Sequence, residues 1–132
     1  MIDLANDFVF QGGVIADAGG PEYQARAQSI IQPLRRLIDE ARRAGILVVF
    51  VTDAHTAEDS ELSKWPPHSM KGTPEADIVA DLAPQPGDLV IEKQTYSPFV
   101  SSDLHEQPHV PGRRSSLYHG PAHRLLRAPY VR

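Results

Sequence analysis

The clearest periodic pattern in the chain lies between Ser29 and Ala44. There Ile30, Ile31, Leu34, Leu37, Ile38 and Ala41 recur at steps of three and four and form one apolar stripe. The spacing predicts a helix that Ser29 caps, with Pro33 in the first turn, where backbone N–H groups lack helical partners anyway. Gly45, after Arg42 and Arg43, is its natural stop. The pattern then changes abruptly. Ile46-Leu47-Val48-Val49-Phe50-Val51 is apolar without alternation, as expected of a strand covered on both faces in a parallel sheet. Helix, glycine and buried strand are half of a βαβ unit.

Weaker signals frame this unit. Ile2-Asp3-Leu4 reads as the end of a strand whose first residues are missing, and Gly12-Gly13 and Gly19-Gly20 punctuate a loop. Residues 53–74 form a long polar loop, of the kind that is usually functional in a compact domain. Glu75 to Leu82 predicts a short helix after Pro74. Pro86-Gly87-Asp88 turns the chain into a strand at Leu89-Val90-Ile91-Glu92. Ser101-Ser102-Asp103 opens a further helix that Pro108 and Pro111 keep short. The expected class is α/β.

Composition adds one domain of ordinary make-up: 132 residues, 41% hydrophobic and 23% charged. No run of about 18 apolar residues predicts a membrane span, and no secretory signal opens the chain. A cytoplasmic location is the default expectation. The sequence holds no cysteine, which excludes disulfides, thiolate metal sites and thiol catalysis within these residues. The net charge of −4 hides a break: all 17 acidic residues and 8 of the 13 Lys and Arg lie in 1–106, leaving −9, while 107–132 carry five Arg and no acid, giving +5.

The strand ends carry the candidate chemistry. Ligands of open parallel sheets sit beyond the carboxyl ends of the strands, and Asp3, Asp53 and Lys93 stand at three such ends. Asp53 and His55 are two residues apart, so in extended backbone they point the same way and can ligate one ion. Glu61 and His68 follow in the same loop and offer further nitrogen and oxygen donors. Such a set suits zinc, iron or manganese. The same residues also make an ordinary solvated loop, Lys93 an exposed lysine, Asp3 a turn cap helped by Asn6 and Asp7, and Trp65 a packing anchor braced by Pro66 and Pro67.

Three segments together resemble the isochorismatase-like cysteine hydrolases, on the nicotinamidase (pyrazinamidase) branch. They are Ile2-Asp3-Leu4-Ala5-Asn6-Asp7-Phe8 with Gly12-Gly13; Val51-Thr52-Asp53-Ala54-His55 with Trp65-Pro66-Pro67-His68-Ser69-Met70-Lys71-Gly72-Thr73; and Ile91-Glu92-Lys93 with Tyr96, Ser97 and Phe99. The resemblance covers about residues 1–105. It implies a three-layer α/β fold with a mainly parallel sheet, here incomplete, and hydrolysis of a small amide such as nicotinamide. Asp3 and Lys93 are the implied catalytic pair and Phe8 and Trp65 the implied substrate-facing aromatics. Asp53, His55, Glu61 and His68 are the implied ligands of a divalent metal, zinc first, with iron or manganese as alternatives. In the implied chemistry a cysteine thiolate attacks the carboxamide carbon, ammonia leaves, and water hydrolyses the thioester.

The family's nucleophile segment has no counterpart. After about Leu104 the apolar pattern gives way to a basic Pro-, Arg- and His-rich stretch, so 106–132 reads as a poorly packed or disordered tail. Arg without Lys, and much Pro, suggests a wrong reading frame of GC-rich DNA. The expectation is that another frame beyond the Leu104 codon encodes an apolar strand and a cysteine, and their absence from both other frames refutes it. Ser115 and Ser116 are poor substitutes for a thiol. The chain is therefore expected to be inactive in turnover. The alternatives are a non-catalytic metal- or ligand-binding remnant and an isochorismatase-type hydrolase of another small substrate. Five unpatterned Arg do not make a nucleic-acid signature. The resemblance permits a homo-oligomer.

Overall fold

The computed structural model describes residues 2–101. The expected boundary at 105 and the basic segment 106–132 lie outside the described residues, as does all but the opening of the helix expected at Ser101. The elements are α1 (Asn6–Val9), α2 (Val14–Ser29), α3 (Ile31–Arg43), β1 (Val49–Asp53), β2 (Leu89–Lys93) and α4 (Pro98–Ser101), with 3-10 turns at Ser60–Ser63 and Ala80–Leu82.

β1 and β2 pair in parallel, from Val49 opposite Leu89 to Asp53 opposite Lys93. On the other side of β1, Ile2 makes a single parallel bridge to Val51, and the Asp3 N–H donates to the Val51 carbonyl at 3.0 Å. The opening segment thus runs alongside β1 as a rudimentary third strand, and three carboxyl ends share one edge. β1 starts later than its apolar run because Gly45 and Ile46 belong to the helix stop. Gly45 adopts φ +66° and its N–H donates to Arg42, while the Ile46 N–H donates to Ala41. These two bonds make a Schellman cap.

Alternation along β1 separates two apolar clusters. Val48 and Phe50 face Leu4, Phe8, Val9, Ala27, Ile31, Leu34, Ile38, Val79 and Leu82, so α1, α2 and α3 all contribute to this side. Ile2, Val51 and Ile91, with Val49, form a smaller cluster on the other. The α3 stripe buries as its spacing predicts, with Ile31, Leu34 and Ile38 innermost. β2 is covered on one face only: Ile91 and Lys93 are buried, while Val90 and Glu92 are exposed.

Three local expectations are corrected. Ser29 does not cap α3; it ends α2, where its hydroxyl donates to the Arg26 carbonyl, and Ile30 precedes α3 without a side-chain cap. Gly19-Gly20 is not a loop. It sits inside α2, where Gly20 at φ +78° kinks the helix and Pro21, lacking an N–H, restarts it. The helix expected over 75–82 is only the turn Ala80–Leu82. The preceding residues lie against the N-terminal segment instead, through an antiparallel bridge between Ala5 and Ile78 and a bond from the Val79 N–H to Leu4. Backbone groups spent in that pairing cannot close helical turns.

Arg42 fastens α3 to the turn before β2. Its guanidinium reaches Asp88 at 2.5 Å, and the Asp88 carboxylate also accepts the Gln85 N–H at 2.8 Å. Burial pushes the Asp88 carboxyl up, but these bonds outweigh it and hold it below its ordinary value. A carboxyl depressed in the folded state stabilises the fold above its unfolded value, and that contribution disappears as pH falls through the folded one. Asp88→Ala should therefore cost about 1–3 kcal/mol at pH 7 by removing the charge-assisted bond from Arg42 and the acceptor of the Gln85 N–H. The gap to wild type should close below the ordinary aspartate value near 3.8. Urea denaturation across pH 2–7 measures this, and a gap that persists at the acid end contradicts the assignment.

Candidate active site and metal centre

Lys93, a residue only 3% exposed, closes β2 at the meeting point of the three strand ends. It pairs with the Asp53 carboxylate across the parallel register and lies 3.2 Å from Asp3 Oδ1. Asp3 Oδ1 has this ion pair but no well-aligned hydrogen bond. Asp3 adopts φ +56°, a left-handed conformation that aspartate tolerates better than most residues and that ends the extended run directly after Ile2. Burial raises the Asp3 carboxyl above its ordinary value. Lys93 opposes that rise and Asp53 adds to it. Burial works to lower the Lys93 ammonium, but Asp3 and Asp53 together outweigh it, so the lysine is raised and keeps its charge at neutral pH.

The metal-type donors stand next to this pair. Asp53, His55 and His68 are all buried, and one ligand atom from each lies within 4.8 Å of the others. Backbone pairing holds the two histidine segments together: the His55 N–H donates to Ser69 at 3.0 Å, and the Lys71 N–H donates to His55 at 2.8 Å. The imidazoles cross edge-on, with centroids 4.7 Å apart. His68 Nδ1 lies 2.8 Å from the Pro66 carbonyl, which can only accept, so Nδ1 carries a proton, and in the neutral ring the lone pair is then on Nε2. Two imidazoles and a carboxylate fit a divalent ion, and a carboxylate that binds Lys93 still has lone pairs for one.

The other expected site residues do not join this group. Glu61 lies on the turn Ser60–Ser63, half-buried and outside the cluster of ligand atoms. Trp65 is 54% exposed, and Pro66 and Pro67 are exposed with it, so only His68 of that stretch turns inward. Phe8 is buried in the main apolar cluster, with its ring edge-on to His68 at 6.4 Å.

Two carboxylates matter more than the sequence suggested. Asp7, read there only as a turn helper, is 1% exposed and anchors the metal loop. It accepts the Val14 N–H that opens α2, and the Ser69 N–H and hydroxyl at 2.5 and 3.3 Å. Ser69 has φ +42°, so this carboxylate holds the bend directly after His68. Gly13 permits the approach, since a Cβ there would fall 2.4 Å from the Asp7 carbonyl oxygen. Asp59, which the sequence reading passed over, touches His55. Its Oδ2 lies 3.1 Å from His55 Nδ1 and accepts the Thr56 N–H at 2.8 Å, while Oδ1 accepts the Thr56 hydroxyl at 2.9 Å. A carboxylate four residues after a histidine in a non-periodic loop carries no sequence signal that it will fold back.

A model of the isochorismatase domain matches residues 1–116, most of the chain. The chain belongs to the isochorismatase family. It is 29% identical, over an alignment 141 positions long, to the ureidoacrylate amidohydrolase RutB of Variovorax paradoxus (strain S110), covering 91% of this chain and 55% of the relative. Among solved structures, N-carbamoylsarcosine amidase from Thermoplasma acidophilum superposes with TM-score 0.68 at 32% identity, over 80% of this chain and 56% of that one. The pyrazinamidase of Pyrococcus horikoshii in complex with zinc gives 0.65 at 25% identity, over 80% and 59%. The chain spans about half the length of the curated relatives it matches. The α/β fold described above is therefore an incomplete isochorismatase-type fold. Among the described residues, no helix is long and apolar enough to cross a membrane.

Asp7→Ala removes the acceptor of two backbone donors, each costing about 1–3 kcal/mol when left unsatisfied. We expect a loss of about 2–4 kcal/mol by urea denaturation. A loss under about 0.5 kcal/mol, the scale of an ordinary surface substitution, would show that Asp7 does not anchor the loop.

Proposed function

We propose that this chain carries the acid, lysine and metal-binding part of a small-amide hydrolase site of the nicotinamidase type, and that the 132 residues bind metal and amide without turning the amide over. The supporting observation is the convergence of the buried Lys93, paired with Asp3 and Asp53, and the Asp53-His55-His68 donor group at one sheet edge. The chain is similar to a ureidoacrylate amidohydrolase, an N-carbamoylsarcosine amidase and a pyrazinamidase solved in complex with zinc, and also to a probable inactive nicotinamidase of Arabidopsis thaliana.

Each residue has a role in this reading. Asp3, with its carboxyl raised by burial, is a stronger base than an exposed aspartate and, in a site completed by a thiol, would take that thiol's proton. Lys93 keeps its charge and stabilises the anion so formed. Asp53, His55 and His68 would hold a divalent ion, zinc first with iron or manganese as alternatives, since two imidazoles and a carboxylate suit all three. When bound, it supplies a Lewis-acidic point that orients the substrate. Phe8 supports His68 from the apolar side. Glu61 and Trp65 stand outside this set and would line the approach to it.

The reading of the chain as a binding form rests on the absence of cysteine: none of the 132 residues can supply the thiolate. The purified chain should take up one equivalent of Zn²⁺ and release no ammonia from nicotinamide above the protein-free rate. Calorimetry and a coupled ammonia assay read the two parts. Ammonia release would overturn the binding-only reading. Failure of a folded chain to take up Zn²⁺ would overturn the metal centre.

A further inference from the structure

Two nitrogens of His55 face different partners. Nδ1 lies 3.1 Å from Asp59 Oδ2, whereas Nε2 has Asp53 Oδ1 at 4.0 Å, too far for a hydrogen bond. The ring is 3% exposed and the Asp59 side chain 9%, so neither contact is a loose surface encounter. The Asp59 carboxylate is itself fixed, since Thr56 donates to one oxygen through its N–H and to the other through its hydroxyl. That three-residue clasp sets the carboxylate before His55 meets it. An ionised carboxylate only accepts, so the shared proton belongs to Nδ1, and in the neutral ring the lone pair is then on Nε2. His68 reaches the same state through the Pro66 carbonyl.

We infer that Asp59 is a positioning residue for the metal centre: it holds the His55 ring as the Nδ1–H form, with Nε2 directed into the space shared with Asp53 and His68. Outer partners of this kind fix a ligand's tautomer and raise its basicity, and losing one typically weakens metal binding 10- to 100-fold. The inference rests on the metal centre proposed above. It adds a residue that neither ligates the ion nor touches an amide.

The test uses the full 132-residue chain, as wild type, D59A and D59N. Long-range ¹H–¹⁵N spectra of metal-free protein at pH 8 read the His55 tautomer directly. Wild type should show the Nδ1–H form, D59A a mixture with Nε2–H, and D59N the wild-type form, because its amide oxygen still accepts. Zn²⁺ affinity from chelator competition should fall about 10- to 100-fold in D59A, with a smaller loss in D59N. A role confined to bracing the loop would leave the tautomer unmoved. An unchanged tautomer in D59A, or Zn²⁺ affinity within twofold of wild type, overturns the inference. If D59A fails to fold, D59N decides: the wild-type tautomer with weakened Zn²⁺ binding supports the inference, and wild-type affinity overturns it. If wild type takes up no Zn²⁺, the metal centre fails separately. The spectra still judge Asp59, a wild-type Nδ1–H form upholding the orientation and a wild-type mixture overturning it.

Discussion

A lysine buried to 3% exposure keeps its charge in a protein interior only when anionic or acceptor groups compensate it, and the rest of the site is arranged around that requirement. Lys93 meets it with one partner from each neighbouring strand end, Asp53 on β1 and Asp3 on the opening segment. Both partners are brought close by backbone geometry. The parallel register puts Asp53 opposite Lys93, and the bond from the Asp3 N–H to Val51 sets the third tip beside them. A one-residue slip in either pairing would send a carboxylate to the wrong face and leave the ammonium uncompensated. The charge cluster therefore makes register a matter of stability as well as of chemistry.

Asp53 ties this cluster to the donor group beyond it. The same carboxylate faces the Lys93 ammonium and lies among the ligand atoms of His55 and His68. The surrounding loop has little apolar packing of its own and depends on carboxylates that accept backbone hydrogen bonds. Asp7 reaches across 62 residues of sequence to hold Ser69 and so the bend after His68, and Asp59 holds Thr56 and the His55 ring. Carboxylates that accept backbone N–H groups are among the stronger fasteners available to irregular backbone. They explain how an irregular loop can present two imidazoles in fixed orientations.

The same geometry bounds the chemistry. An acid, an ammonium and an N,N,O donor set are assembled without a thiol. The family's relatives extend well past the length of this chain. β2 turns Val90 and Glu92 outward, and Tyr96, Phe99 and Val100 are exposed just beyond it. In the proposed reading these residues bind and polarise an amide, and the thiol of the implied chemistry is not among them.

Much of this was legible in the sequence. The spacing of Ile31, Leu34 and Ile38 determined which face of α3 is buried, and the unbroken run around Phe50 marked the central parallel strand. The position of Asp3, Asp53 and Lys93 at strand ends was enough to bring them to one edge, because parallel topology leaves no other place for them. Such features follow from periodicity, which is local and repeats. Only the tertiary structure decided that Asp59 folds back on His55, that Asp7 spans from α1 to Ser69, that Gly20 kinks a helix and does not open a loop, and that Trp65 and Glu61 stay outside the donor group. Each of those depends on a single side chain finding a backbone group or a surface distant in space, and no period along the chain encodes such a meeting.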